Sequence, residues 1–296
     1  MITIEQLGVV GYGEVGKTFA AGLRPRVQGL YVADLKLQNP AHAAAMQSHA
    51  QAAGATPGTL AQLCAQSQLI ISSVTASNTL AVAEEAAAHL KPGTFFLDLN
   101  SASPGTKQQA ARVIEAAGGH YIEAGVMTSV PPYGIAVPML LGGPRAAELA
   151  PLLQDWGLDA RAVSDRLGVA SAIKMCRSIM IKGLEALVIE SYATARRYGV
   201  EDHVLPTLAE TFPSIDWHKQ GAYFFSRVVQ HGQRRAEEMR EAARTVQEAG
   251  FAPLMTGPIA DKQQWVADLA AAGVFAELAK DARWQDYADR LPKASI

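Results

Sequence analysis

Over roughly the first 165 residues, short apolar runs alternate with longer stretches in which apolar positions recur every three or four residues. The runs at 8–11, 30–34, 69–74, 95–99, 121–124, 138–141 and 160–163 are apolar through most of their length, as strands buried on both faces must be. Between them lie alanine-rich stretches such as 79–90 and 107–117, which predict helices. This alternation predicts an α/β protein with a mostly parallel sheet and helices on both faces. Pro92-Gly93 and Gly142-Gly143-Pro144 punctuate it. From about Val169 the pattern changes. Residues 170–198 contain one glycine and no proline, and predict one helix about 43 Å long at about 1.5 Å per residue. The remainder predicts helices separated by turns at Phe212-Pro213, at Gly221, from Gly250 to Pro253 and at Gly257-Pro258. Two domains are expected, 1–165 and an all-helical 166–296, joined by the long helix.

The first apolar run leads directly into Gly11-Tyr12-Gly13-Glu14-Val15-Gly16 and then into the helix-forming Lys17-Thr18-Phe19-Ala20-Ala21. Strand, tight turn and helix in that order suit a dinucleotide pyrophosphate. Gly11 allows the turn, Gly13 lets backbone approach the phosphates, and Gly16 lets the helix pack on the strand. The helix N-terminus adds free N–H groups and a positive dipole end. The second run ends in Asp34, 18 residues after Gly16. An acid there accepts hydrogen bonds from ribose hydroxyls and repels a 2′-phosphate, so NAD is expected rather than NADP, with the nearby Lys36 softening the preference. The expected fold is a Rossmann-type doubly wound parallel sheet. The expected cofactor-binding residues are Gly11, Tyr12, Gly13, Glu14, Val15, Gly16, Asp34, Ser73, Val74, Thr75 and Asn100. Glu14 suits a helix N-terminus but has to point away from the pyrophosphate.

Composition narrows the function classes. Of 296 residues, 49% are hydrophobic and 18% charged, as in an ordinary globular protein of one large or two smaller domains. The net charge is -2 with no basic run, which argues against nucleic acid as a partner. Cys64 and Cys176 form neither a disulfide framework nor a ligand pattern, and the histidines show no metal-ligand spacing, so no metal is expected. No Gly-x-Ser-x-Gly elbow is present, which sets serine hydrolases aside. No uncharged apolar run of about 18 residues is present, and the N-terminus enters strand one almost at once; neither a membrane span nor a signal peptide is expected, and the cytoplasm is the expected location.

Three segments carry candidate chemistry. On the long helix, Lys174, Ser178, Lys182 and Glu185 fall on one stripe among apolar neighbours. A lysine desolvated there falls from its reference pKa of about 10.4 toward the 7–8 that suits a general base. A snorkelling or salt-bridged lysine, for example Lys182 with Glu185, fits the spacing equally. The loop Asp98-Leu99-Asn100-Ser101-Ala102-Ser103-Pro104 follows a strand and precedes a helix, where ligands of parallel sheets bind. Asn100, Ser101 and Ser103 offer amide and hydroxyl groups there, although Ser101 or Ser103 also suits a helix cap. The loop from Glu123 to Gly134 contributes Thr128 and Ser129 at another strand end, or is simply a turn.

These pieces, in this order, resemble the β-hydroxyacid dehydrogenase family of 3-hydroxyisobutyrate, tartronate-semialdehyde and 6-phosphogluconate dehydrogenases, and within it a subgroup with a distinct C-terminal domain. The resemblance spans roughly residues 7–190 and continues more loosely to about Pro253. The family's Asp-x-Ser-Thr-x-x-Pro is similar to 98–104. Its Asp-Ala-Pro-Val-Ser-Gly-Gly, followed by Met-x-Gly-Gly, is similar to 123–129 followed by 140–143. Its Gly-x-Gly-x-x-x-Lys-x-x-x-Asn is similar to 168–178 and lands on Lys174. The resemblance implies that Lys174 takes the hydroxyl proton while hydride passes to nicotinamide, and that Asn100, Ser101, Thr128, Ser129 and Ser178 bind a small anionic or polyhydroxylated substrate. It also implies a homodimer. Ser178 stands where the family has Asn, Met127-Thr128-Ser129 replaces Ser-Gly-Gly, and only Arg234, Arg235 and Glu238 fall near the family's late Lys-Asp pair. Two other functions remain open. An imine or ketone reductase of this architecture would use Asp or Tyr in place of the lysine. A non-catalytic dinucleotide-binding protein would need neither Lys174 nor the strand-end hydroxyls.

Overall fold

Strand β1 (Gln6–Val10) is buried along almost its whole length and enters the glycine turn, from which α1 (Glu14–Leu23) departs. Then follow β2 (Gly29–Ala33), α2 (Pro40–Ala52), β3 (Thr56–Pro57), α3 (Leu60–Gln66), β4 (Leu69–Ser72), α4 (Thr79–Ala87), β5 (Phe95–Asp98), α5 (Pro104–Ala116), β6 (His120–Val126), β7 (Met139–Gly142), α6 (Ala146–Asp155) and β8 (Ala160–Ser164). The structure is a computed structural model that describes residues 2–292. The strands form one sheet in the order β3-β2-β1-β4-β5-β6-β7-β8, parallel throughout except where β7 runs antiparallel to β6. Val9 pairs with Val32 on one side and Ile71 on the other. The chain winds outward from β1 to β3 and returns to β4 on the other side, so the order switches between β1 and β4. In open parallel sheets, ligands bind at such a switch, outside the C-terminal ends of the strands.

Both faces of the sheet are covered. On one, Leu7, Val9, Leu69, Ile71, Leu97 and Ile122 pack with Phe19 and Leu23 of α1. On the other, Val10, Ile70, Phe96 and Tyr121 pack with Leu63, Ala83, Ala110 and Ile114. Alternate residues of one strand thus enter opposite cores, and for this reason the strands read as unbroken apolar runs. All seven expected strands are present, with ends moved by up to two residues. The two-residue β3 was not expected. It is too short to show a period, and its proline fits the edge position it occupies.

The chain divides into two compact units, one ending at Met175 and the other starting at Cys176. The division falls within α7 (Val169–Tyr198), a helix of 30 residues. The second unit continues with α8 (Glu201–Thr211), α9 (Trp217–Glu248), α10 (Thr256–Ala271) and α11 (Trp284–Arg290), and its described residues form no strand. Tyr192, Trp217, Phe225, Val228, Val266 and Trp284 form its core. Two expected turns are absent. Gly221 lies inside α9, where a Cβ would come within 2.5 Å of the Tyr192 ring; the glycine admits that ring rather than turning the chain. Gly257-Pro258 opens α10, since a helix's first turn tolerates proline. Lys182 does not pair with Glu185. Its Nζ lies 2.7 Å from Glu238 Oε2, while Glu185 accepts from both the Nε and the Nη2 of Arg235, and Arg234 Nη1 donates to the other oxygen of Glu238 at 2.8 Å. The charged partners of Lys182 and Glu185 come from α9, a route that intrahelical spacing cannot reveal.

Candidate functional site

The parallel strands β1, β2, β4, β5 and β6 all end at one edge of the sheet, so the loops that follow them gather there. Gly11 has φ +84°, and a Cβ on it would lie 2.6 Å from the Ser73 carbonyl oxygen. A Cβ on Gly16 would lie 2.0 Å from the Gly11 carbonyl oxygen, so only glycine lets α1 sit this close to the turn. Around Gly13 a Cβ would meet nothing within 4 Å, which leaves the turn open for a ligand. No side chain caps α1, whose first N–H groups face that opening. Ser73 Oγ donates to the carbonyl of Gly11 at 2.8 Å and tethers the β4 loop to the turn. Val74 packs against Gly11, and Thr75 Oγ1 accepts from Asn78 Nδ2 at 2.8 Å.

Asp34, half-buried at the end of β2, is held in place on both oxygens. Oδ2 accepts from the Tyr12 N–H at 2.7 Å and Oδ1 from the Lys36 N–H at 2.8 Å. A carboxylate has about four acceptor positions, so two remain for ribose hydroxyls. Tyr12 turns its ring into the core, with its hydroxyl 3.1 Å from His49 Nδ1 and its N–H on Asp34. It offers the cofactor the shape of the turn rather than its side chain. Glu14 is exposed and Val15 half-buried.

Beyond β5, Asn100 is buried. Its Nδ2 donates to Ser72 Oγ at 2.9 Å, while its Oδ1 has no hydrogen-bond partner. Ser103 caps α5, accepting the Thr106 N–H at 3.2 Å, whereas Ser101 Oγ accepts from Lys174 Nζ at 2.6 Å. The two serines that the sequence could not distinguish thus have separate roles. Beneath them lies an ion pair between Lys107 and Asp98 at 2.8 Å, each side chain 1% exposed. Asp98 also accepts from the Asn100 N–H at 2.8 Å and from the Tyr121 hydroxyl at 2.5 Å. Burial and the Asp98 charge push the Tyr121 phenol well above its ordinary pKa. Lys107 and Tyr121 were missed by sequence reasoning. A signal existed, because Lys107 shares a face of α5 with Ala110, Ala111 and Ile114, all buried.

The β6 loop holds Thr128, which is exposed, and Ser129, which is half-buried; the Met127 N–H, bonded to the Pro138 carbonyl at 2.9 Å, anchors it. Ser178 follows Lys174 by one turn of α7 and is buried.

Comparisons with known proteins bear on the fold and the family. The NAD binding domain of 6-phosphogluconate dehydrogenase matches residues 6–163, and a domain of unknown function matches 195–266. A conserved hypothetical protein from Sinorhizobium meliloti 1021 is 36% identical, with a TM-score of 0.76 over 98% of this chain and 97% of its own. A conserved protein of unknown function, itself structurally similar to 3-hydroxyacid dehydrogenases, is 29% identical, with a TM-score of 0.69 over 90% of this chain and 98% of its own. The 3-hydroxyisobutyrate dehydrogenase of Mycobacterium tuberculosis, solved with L-serine, shares the fold at 16% identity, with a TM-score of 0.67 over 97% of this chain and 99% of its own. With a 6-phosphogluconate dehydrogenase-type NAD-binding domain over half its length and a distinct helical domain after it, the chain belongs to the β-hydroxyacid dehydrogenase family of dinucleotide-dependent oxidoreductases.

Proposed function

We propose that this protein is an NAD-dependent dehydrogenase that oxidises the hydroxyl carbon of a small hydroxy acid or sugar acid, with Lys174 as general acid/base. The observation that carries the reading is the 2.6 Å hydrogen bond from Lys174 Nζ to Ser101 Oγ, at the strand edge that also holds the Gly11–Gly16 turn. A lysine placed on a hydroxyl can accept a proton from a substrate hydroxyl that takes the same place. The turn fits a dinucleotide: Gly13 is open, α1 has no side-chain cap, and Asp34 is fixed by two N–H groups with acceptor positions to spare. When bound, the nicotinamide supplies the hydride acceptor. The rest is done by the chain. Gly11 to Gly16 and Ser73 to Thr75 hold the pyrophosphate side, and Asp34 favours NAD by repelling a 2′-phosphate. Asn100, Ser101, Thr128, Ser129 and Ser178 orient the substrate's carboxylate and hydroxyls. Lys174 takes the hydroxyl proton as the carbon is oxidised and returns it in the reverse direction.

In this reading residues 1–165 are the cofactor domain, and 166–296 form the substrate and dimerisation domain of a cytoplasmic homodimer. The test is a panel of hydroxy acids and sugar acids with NAD+ and NADP+, followed by reduced-cofactor formation, beside cyclic imines with NADH and NADPH. Oxidation of a hydroxy acid, faster with NAD+, is expected. Turnover of imines alone would assign the reductase function instead, and tight NADH binding without turnover of any substrate would assign a non-catalytic one.

A further inference from the structure

Glu123 lies in β6 with its side chain wholly buried. A buried carboxylate needs hydrogen-bond donors. Its donors are backbone N–H groups at the start of α7: Oε1 accepts from Gly168 at 2.8 Å and Ala170 at 3.0 Å, and Oε2 from Ser171 at 3.3 Å. The first N–H groups of a helix have no partner within it, and its dipole presents positive charge there. A strand carboxylate 45 residues upstream of Gly168 therefore caps α7. The neighbouring backbone makes room for it. Gly142, paired with Glu123 across the antiparallel ladder, would put a Cβ 2.5 Å from Oε1. Two residues along β6, a Cβ on Gly125 would lie 2.9 Å from the Ala170 carbonyl oxygen and 3.5 Å from Lys174 Cβ. Strand β6 thus grips α7 at two points, its first N–H groups and the turn that bears Lys174.

We infer that Glu123 is the positioning residue for Lys174: by capping α7 from β6 it sets where the lysine meets Ser101. This rests on the reading of Lys174 as the general acid/base. Glu123→Gln keeps the shape but replaces one acceptor oxygen by a donor, which faces N–H groups that have nothing to bond to. The start of α7 then loosens and Lys174 leaves Ser101.

Two assays test this on the full-length protein. The first needs no substrate. Trace acylation by acetic anhydride, read by mass spectrometry, compares the reactivity of Lys174 with that of the exposed Lys91. In Glu123→Gln the Lys174 rate rises by more than about threefold relative to Lys91, because a hydrogen-bonded, half-buried amine is released to solvent. The second is kcat on the hydroxy acid found by the panel. It falls roughly 10- to 100-fold in Glu123→Gln, since small misplacements of a reacting group have effects of that order, while NADH affinity holds. On a Lys174→Met background, Glu123→Gln changes the residual kcat by less than about threefold, as expected of a residue that acts through Lys174. Unchanged Lys174 acylation, or equal losses of kcat on both backgrounds, would overturn the inference. If Lys174→Met alone leaves kcat within about threefold, the general-base reading fails, and the acylation assay still decides whether Glu123 positions the lysine. Should Glu123→Gln not fold, Glu123→Asp, which withdraws the carboxylate by one methylene, goes through the same assays with the same expected directions.

Discussion

Lys174 and Lys182 lie two turns apart on one helix, yet meet different chemistry. Lys174 donates to a serine hydroxyl at the strand edge of the N-terminal unit, at 2.6 Å. Lys182 lies 2.7 Å from the Glu238 carboxylate, inside the packing of α7 against α9. Their surroundings differ in the same way. A parallel sheet collects distant loops at one edge by topology alone, so Gly11, Asp34, Asn100 and Thr128 converge without pairing with one another. Packed helices have no such edge. A charge on the inward face of α7 must there be matched by an opposite charge from another helix, as Glu185 is by Arg235. Lys182 and Glu185 are thus matched by opposite charges from α9, whereas Lys174 meets a neutral hydroxyl at the sheet edge.

Substitutions can break this contrast from either side. The largest effect is expected at Lys174→Met, which should lower kcat by about 10²–10⁴-fold and leave NADH affinity and the urea midpoint nearly unchanged, because the proton moves only in the transition state. A small drop in kcat with chemistry rate-limiting would make Lys174 a structural lysine like Lys182.

Arg235→Met should do the opposite. It leaves Glu185, 1% exposed, as an unpaired buried charge, and breaking such a pair typically costs about 3–5 kcal/mol. Urea unfolding followed by Trp217 and Trp284 fluorescence reports this loss in the C-terminal unit, and titration with NADH shows whether cofactor affinity is spared. A midpoint equal to that of the unmutated protein would show that the pair holds nothing together.

Tyr121→Phe should have a smaller effect, about 1–3 kcal/mol, through the lost donor to Asp98. It also carries a pH signature. The Tyr121 phenol is raised in the fold above the 10.0 of an ordinary tyrosine. Its contribution is therefore fully present below about pH 10 and is lost as pH rises beyond it. The unmutated protein should lose stability above pH 10 more steeply than Tyr121→Phe does, as measured by urea midpoints across that range. Parallel curves would refute it.

The smallest effect is expected at Asp34→Asn. An amide keeps an acceptor for the turn but not the charge that repels a 2′-phosphate, so the preference for NADH over NADPH should narrow by about tenfold, roughly 1.4 kcal/mol. Fluorescence titration with both reduced cofactors measures it, and tighter NADPH binding by the unmutated protein would reverse the cofactor assignment.

What could be read from the chain alone was what neighbouring residues decide. The Gly11–Gly16 turn, its strand and helix, the doubly wound sheet and the long α7 are written in spacings of a few residues, because strand and helix periods and glycine turns are local physics. Lys174 stood out as polar on an apolar stripe, but the stripe also held Lys182, and spacing could not rank them. Nor could it choose between Ser101 and Ser103 as a cap, or see that Gly221 makes room for Tyr192 instead of turning the chain. Tertiary structure decided these. Ser101 meets Lys174 across 73 residues, Glu185 meets Arg235 across 50, and Glu123 caps a helix 45 residues on. Partners so far apart are chosen by which strand ends and helix faces the fold brings together. A buried polar group bonds to whatever donor or acceptor lies there, and sequence distance does not enter that choice.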